Sequence, residues 1–297
     1  MAKRGFFLIS FFTCCAIFTA CAVQESKSEV PIPENKVPTA TLIKVETSPT
    51  PQPADKVLTH KPELSVTLSQ AIQVFEPISP LEGILPEELK QIVSNPFLMP
   101  TEGQDDGHHG TDFSFYSFGK FSSIDNLGVV SIFPGKVSAV ISDRPPYGNA
   151  VIIETNLKNL SDDYLSLLDS LDLDETIRHK SNLNCPDYSQ EILEFSKTEE
   201  SLYVLYAHLK NEPQLELSAQ VDQGQVIGNV GNTGMSGNSH LHLEMRIGPT
   251  NATFPQMAHY DNSVTTLEMA NYCLWRVSNY FKLFDPMRFF DISQTKP

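Results

Sequence analysis

Positive charge is scarce in this chain: 21 lysines and arginines stand against 36 aspartates and glutamates, a formal charge of −15 at pH 7. So acidic a protein would be repelled by the phosphates of nucleic acid and of anionic membrane surfaces, and broad binding to either is not expected. No lysine falls between Lys210 and Lys282, which excludes a carrier-type β domain, since that needs an attachment lysine on a turn. The glycines at 228, 231, 234 and 237 are not followed by Lys-Ser or Lys-Thr, and no G-x-S-x-G occurs. A phosphate-cradling loop and a nucleophile elbow are therefore absent, and these glycines read as tight turns. No internal repeat is visible.

Long hydrophobic runs are also lacking. The apolar stretch from Gly5 to Ala20 follows Lys3 and Arg4 and is shorter than the roughly 20 residues of a membrane span, so residues 1–20 read as a secretory signal. The stretch ends in small residues before Cys21, "FTAC", which resembles a bacterial lipobox. That resemblance implies cleavage before Cys21, lipidation of its thiol and anchoring to a membrane of the cell envelope; the other reading is an ordinary signal with a fortuitous cysteine. Residues 21–64, rich in Pro, Ser, Thr, Lys and Glu and without an apolar period, read as a disordered tether. His60 lies within it as a solvated linker residue.

Residues 65–297 form the expected domain. "LPEELKQIV" predicts a short helix opened by Pro86, with Leu89, Ile92 and Val93 on one face. The runs "VVSIFP", "KVSAVIS", "NAVIIET", "LYVLYAHL", "QVIGNVG" and "HLHLEMRI" are short, β-branched or aromatic, and separated by turn residues. They predict a mainly β, antiparallel architecture. An acidic insertion over about 156–201 carries Tyr164, Leu167, Leu168 and Leu171 at helical spacing. A C-terminal helix is expected over about 266–281, opened by a capping box of Thr265 and Glu268, with Leu267, Ala270, Leu274, Val277 and Phe281 as its apolar face.

Cysteine is nearly absent from the exported part. Cys14 and Cys15 leave with the signal and Cys21 is lipidated, so Cys185 and Cys273 remain as an even pair in a compartment that permits oxidation. A disulfide between them would staple the insertion to the C-terminal helix; the alternative is two buried, unpaired thiols.

Against these shortages stand clustered histidines. In "SHLHLEMRI", His240 and His242 are two apart on a strand and share a face, while Leu241, Leu243 and Met245 point to the core. "GHHGTDF" supplies His108 and Asp112 around a glycine that lets both side chains fold to one point. "YVLYAHL" places His208 at a strand end, on the same face as Tyr206. Donors at three separated strand ends suit one zinc ion with a nearby base.

The series H-x-G-x-D, Y-A-H-L and H-L-H, together with "PYGNAVIIE" and "VDQGQVIGNVGNTG", resembles the LytM or lysostaphin-type zinc metallopeptidases over roughly residues 79–248. The resemblance implies a β-sheet or sandwich core of the duplicated hybrid motif type, one Zn2+ per chain, and a peptidoglycan peptide as substrate. Carried over residue by residue, it makes His108, Asp112 and His242 the metal ligands and His208 and His240 the catalytic histidines. It leaves open which peptide bond is cut. A non-catalytic wall-binding or activator lipoprotein of the same fold is the alternative, against which all five residues are retained.

Other residues have two readings. Tyr147, Asn149 and Tyr206 could rim a substrate groove, or Tyr206 could simply pack. Glu244 could orient a histidine or be a solvated strand acid. His109 would support the site or be exposed, and His179 and His259 have no visible partner.

Overall fold

The computed structural model describes residues 73–101, 104–171, 183–186 and 199–293. The expectations for the signal over 1–20, Cys21, the tether with His60, and His179 lie outside them, as does much of the acidic insertion. Residues 67–297 form one compact unit. No helix among the described residues is long and apolar enough to cross a membrane.

Among the described residues the chain forms ten strands: β1 (Val93–Asn95), β2 (Thr111–Phe113), β3 (Gly128–Val130), β4 (Gly135–Arg144), β5 (Gly148–Asn156), β6 (Glu200–Leu209), β7 (Gln220–Val221), β8 (Val226–Asn229), β9 (Leu241–Pro249) and β10 (Lys282–Phe284). Eight form one sheet in the order β1-β2-β9-β6-β5-β4-β7, with β10 also on β9, and β3 and β8 make a separate pair. Every ladder is antiparallel, so the fold is mainly antiparallel β with few helices.

The large sheet is covered on both faces. Leu202, Val204 and Tyr206 of β6 join Leu241, Leu243, Met245 and Ile247 of β9 in one apolar cluster. Tyr203, Leu205 and Ala207 point the other way, into a second cluster with Phe254, Tyr272 and Trp275. Period-two alternation therefore sorts a continuously apolar strand between two cores. Each large side chain so buried contributes about 1.5–3 kcal/mol.

The short helix opened by Pro86 is a 3₁₀ turn over Pro86–Ile92 that buries Leu89 and Ile92. The insertion opens with a 3₁₀ turn over Leu157–Asn159, followed by α1 (Asp162–Ser170), which buries Tyr164 and Leu168. The C-terminal helix α2 (Thr266–Arg276) has the reciprocal Thr265–Glu268 capping box, but it is shorter than the sequence suggests. Val277 leaves helical geometry and Asn279 takes a left-handed φ of 59°, so the chain turns and β10 adds to β9. Leu267 is 51% exposed and is no part of the apolar face; Asn271, Tyr272, Cys273 and Trp275 are buried instead. A last helix, α3 (Met287–Ser293), absent from the sequence reading, buries Phe289 and Phe290.

Cys185 and Cys273 are joined by a disulfide with Cα atoms 5.9 Å apart, closing a loop of sequence separation 88. By chain entropy such a loop stabilises by about 4–5 kcal/mol. Cys273→Ser is therefore expected to lower the denaturant midpoint in non-reducing conditions. Reductant should do the same to the native protein and nothing further to the variant; an unchanged midpoint for Cys273→Ser would count against the bond.

Candidate metal centre and catalytic groups

Cross-strand register assembles the centre. Asp112 on β2 lies directly opposite His242 on β9, and Ala207 on β6 lies opposite His242 from the other side. His108 precedes β2 and is pinned by a two-way backbone bridge with Leu98. Between His108 and Asp112, a Cβ on Gly110 would lie 2.8 Å from His242 Cε1 and 2.4 Å from the Leu243 carbonyl. The glycine of H-x-G-x-D is thus needed for the close passage of the His242 ring.

His108 Nε2, Asp112 Oδ1 and His242 Nδ1 converge, with separations of 3.1 Å, 3.2 Å and 2.7 Å. The outer ring nitrogens show that this is a cluster of lone pairs. His108 Nδ1 lies 2.8 Å from the Pro96 carbonyl and must carry the proton it donates. His242 Nε2 lies 3.2 Å from the Glu244 carboxylate and does likewise. In the neutral rings, His108 Nε2 and His242 Nδ1 are then unprotonated and face each other and a carboxylate oxygen, an arrangement that calls for a cation. Zinc–ligand bonds of about 2.0–2.1 Å would place tetrahedral ligand atoms roughly 3.3 Å apart, close to the spacing found.

The local field agrees. Burial alone would lower the His242 pKa, but hydrogen bonds and charge from Asp112 and Glu244 raise it to about 9; the same field favours a divalent cation. Burial pushes the Asp112 carboxyl up, yet its hydrogen bonds to His108 and His242 hold it well below the usual range. Asn95 Nδ2 donates to Asp112 Oδ2 at 3.2 Å and leaves Oδ1 for the cluster. This role of Asn95 had no sequence signal, because the contact spans two strands.

His208 reaches the centre by a device that alternation does not predict. Tyr206 pairs with Val151 and Leu209 with Asn149, so Ala207 and His208 together oppose Ala150 alone. This is a β-bulge, and His208 takes a left-handed φ of 61°, at a cost on the order of 1–3 kcal/mol. The extra residue turns His208 to the His242 face, while Tyr206 stays on the opposite one. The sequence expectation that they share a face is thereby corrected. His208 Nδ1–H donates to the Thr233 carbonyl at 2.8 Å, and His240 Nδ1–H to the Asn238 carbonyl at 2.8 Å. The two rings lie 4.6 Å apart, and His240 Nε2 is 3.7 Å from Asp112 Oδ1. Burial, reinforced by His242 and His240, lowers the His208 pKa to about 3 and keeps the ring neutral.

The glycine-rich turn locks these histidines. Gly148 and Gly234 nest so closely that a Cβ on Gly148 would lie 2.4 Å from Gly234 N. Thr233 Oγ1 accepts from Asn149 N at 2.9 Å and donates to the Leu209 carbonyl at 2.8 Å. The loops carrying "YGN" and "GNTG" therefore brace each other and the end of β6.

All five histidine and aspartate positions line a cavity of about 610 Å3, and Tyr147, Tyr260, Tyr272 and Arg276 form part of its wall. Tyr147 is thus in the groove wall, with its hydroxyl donating to Glu244 Oε1 at 2.8 Å. Asn149 and Tyr206 are not in that wall. Asn149 Oδ1 accepts from Asp143 N, and the Tyr206 hydroxyl accepts from Ile132 N on the far face. Glu244 is fully buried, not solvated. His109 is buried too: its Nε2–H donates to the Asp106 carbonyl and its Nδ1 accepts from Arg246, and burial next to Arg276 and Arg246 lowers its pKa to about 2. His259 packs against Tyr260 and Tyr272. Among the described residues, His108, Asp112 and His242 are the group able to hold a metal ion.

Solved structures similar to this chain include the catalytic domain of lysostaphin from Staphylococcus simulans, at 17% identity over 69% of this chain and 97% of that one, TM-score 0.33. The catalytic domain of the prophage-encoded M23 protein EnpA from Enterococcus faecalis is 18% identical over 55% and 85%, TM-score 0.31. A zinc-containing peptidase from Vibrio cholerae is 20% identical over 61% of this chain and 39% of that one, TM-score 0.31. No curated protein matches the chain. Residues 187–254 match Peptidase family M23, a segment that contains His208, His240 and His242 and stops short of His108 and Asp112 upstream. The matched segment and the H-x-G-x-D loop meet in one centre, and over residues 187–254 the chain is similar to Peptidase family M23.

Proposed function

We propose that the protein is a zinc-dependent endopeptidase that hydrolyses peptide bonds in peptidoglycan stems or cross-bridges. In this reading it works at the bacterial cell envelope, outside the cytoplasm, tethered to a membrane through lipid on Cys21. The observation that carries the catalytic reading is the convergence of three lone-pair atoms on one point, with His208 and His240 beside it in the same cavity. His108, Asp112 and His242 would hold the ion. Zinc there supplies Lewis acidity toward the scissile carbonyl and makes water acidic near neutral pH.

The chain's own groups do the rest. Each of His208 and His240 commits Nδ1–H to a backbone carbonyl, which fixes the ring and leaves Nε2 as the basic atom. A neutral ring so held takes the proton of attacking water; once protonated, it donates toward the developing oxyanion or the leaving amine. The retention of all five groups in one cavity favours this over the non-catalytic wall-binding or activator alternative.

Digestion of purified peptidoglycan with the full chain, followed by muropeptide mass spectrometry, tests it. New amino termini at one bond type are expected, and a zinc chelator should abolish them. An unchanged muropeptide profile with zinc-loaded protein would favour the non-catalytic reading.

A further inference from the structure

The Glu244 carboxylate is served from beyond the segment matched to the family, which ends at 254. Helix α2 delivers Trp275 Nε1 to Oε2 at 3.0 Å and Arg276 Nη1 to Oε1 at 3.1 Å. Tyr147 and Arg246 add to the same carboxylate, and His242 Nε2–H completes the set. Arg276 is itself held by Asp105 at 2.7 Å, whose other oxygen accepts from the Tyr260 and Tyr272 hydroxyls. Trp275 is wedged by Phe254, Phe281 and Tyr203 and lies under the Arg246 guanidinium.

Glu244 and Asp105 thus balance Arg246 and Arg276 in a largely buried cluster, a pairing that buried charges require. A carboxylate donated to on both oxygens is restrained against rotation. It therefore fixes the ring of His242, and with it the direction of Nδ1.

We propose that Trp275 and Arg276 are positioning residues that act through Glu244 on His242, so that the C-terminal helix sets the affinity of the centre for its metal. The proposal rests on the reading of His108, Asp112 and His242 as ligands. It adds an element that no ligand motif contains. The disulfide at Cys273 tethers this helix two residues before Trp275, which keeps the donors in register.

The test is zinc affinity of the full chain by chelator competition, with the cobalt absorption spectrum as a second readout and circular dichroism as the check on folding. Trp275→Phe removes one N–H and keeps an aromatic ring; Arg276→Met removes the charge. Loss of a group that orients a metal ligand weakens binding by roughly 10–100-fold, and that loss with an altered cobalt band is expected for both variants. Should Arg276→Met fail to fold, Trp275→Phe decides alone. In a Glu244→Gln background, Trp275→Phe should cost little more, because its route to His242 is already cut. Zinc binding by Trp275→Phe as tight as in the parent, or losses that simply add in the double variant, would overturn the proposal and leave the ligand assignment standing. A parent chain that binds neither zinc nor cobalt would overturn the ligand assignment itself.

Discussion

Replacing His108, Asp112 or His242 with alanine is expected to take the zinc content from about one equivalent per chain to none, and peptidase activity with it. Each side chain supplies one of the three atoms that converge within 3.2 Å. Two remaining donors cannot make a closed protein site for an ion that takes three protein ligands and water when catalytic. The substitutions differ in what they leave behind. Asp112→Ala removes the negative charge between two histidines, while His242→Ala also takes one donor from Glu244 and leaves it the other four. Metal analysis after dialysis, with circular dichroism to confirm the fold, measures the effect. Full zinc retention by all three variants would remove the assignment.

His208→Ala and His240→Ala should behave in the opposite way, keeping the metal and losing turnover by about 10²–10⁴-fold, the usual cost of a positioned acid or base. Neither ring is within bonding range of the converging atoms: the nearest approach shown is His240 Nε2 to Asp112 Oδ1, at 3.7 Å. Both rings are fixed by carbonyls of the glycine-rich turn. Their loss should therefore fall on kcat, with zinc stoichiometry unchanged. His208→Ala carries a second, smaller effect. The bulge that turns residue 208 needs a left-handed φ, which alanine tolerates no better than histidine, so the strain persists while the ring's hydrogen bond to Thr233 is lost. A metal-free His208 or His240 variant would mean that a ligand and a base had been exchanged.

Much of the centre was legible before any fold was known, and the reason is local. Two histidines at i and i+2 on a strand share a face whatever the strand pairs with, and H-x-G-x-D brings its own ends together through a glycine. Antiparallel β structure was legible for the same reason, since short β-branched runs divided by Gly, Asn and Asp close into hairpins. The capping box of Thr265 and Glu268 likewise depends on four consecutive residues.

The readings left open or mistaken turn mostly on pairing with something distant. Tyr206 and His208 are two apart, as His240 and His242 are, but one extra residue opposite Ala150 sends them to opposite faces; nothing in "YVLYAHL" announces which partner strand runs short. Glu244 reads equally as the partner of a histidine or as a solvated strand acid, and the fold decides for the first: it is buried against His242, and helix α2 brings Trp275 and Arg276 down on it as two of its five partners. The apolar spacing of helix α2 continues to 281, yet the helix stops at Arg276: Val277 leaves helical geometry and Asn279 takes a left-handed φ, which turns the chain before Lys282–Phe284 pair with β9. Which donors stand in this chain, and at what spacing, is a property of neighbours along the backbone. Which face a bulged residue takes, and whether a buried charge is satisfied, depends on strand register and on helices packed from far away, where burial energy outweighs local preference.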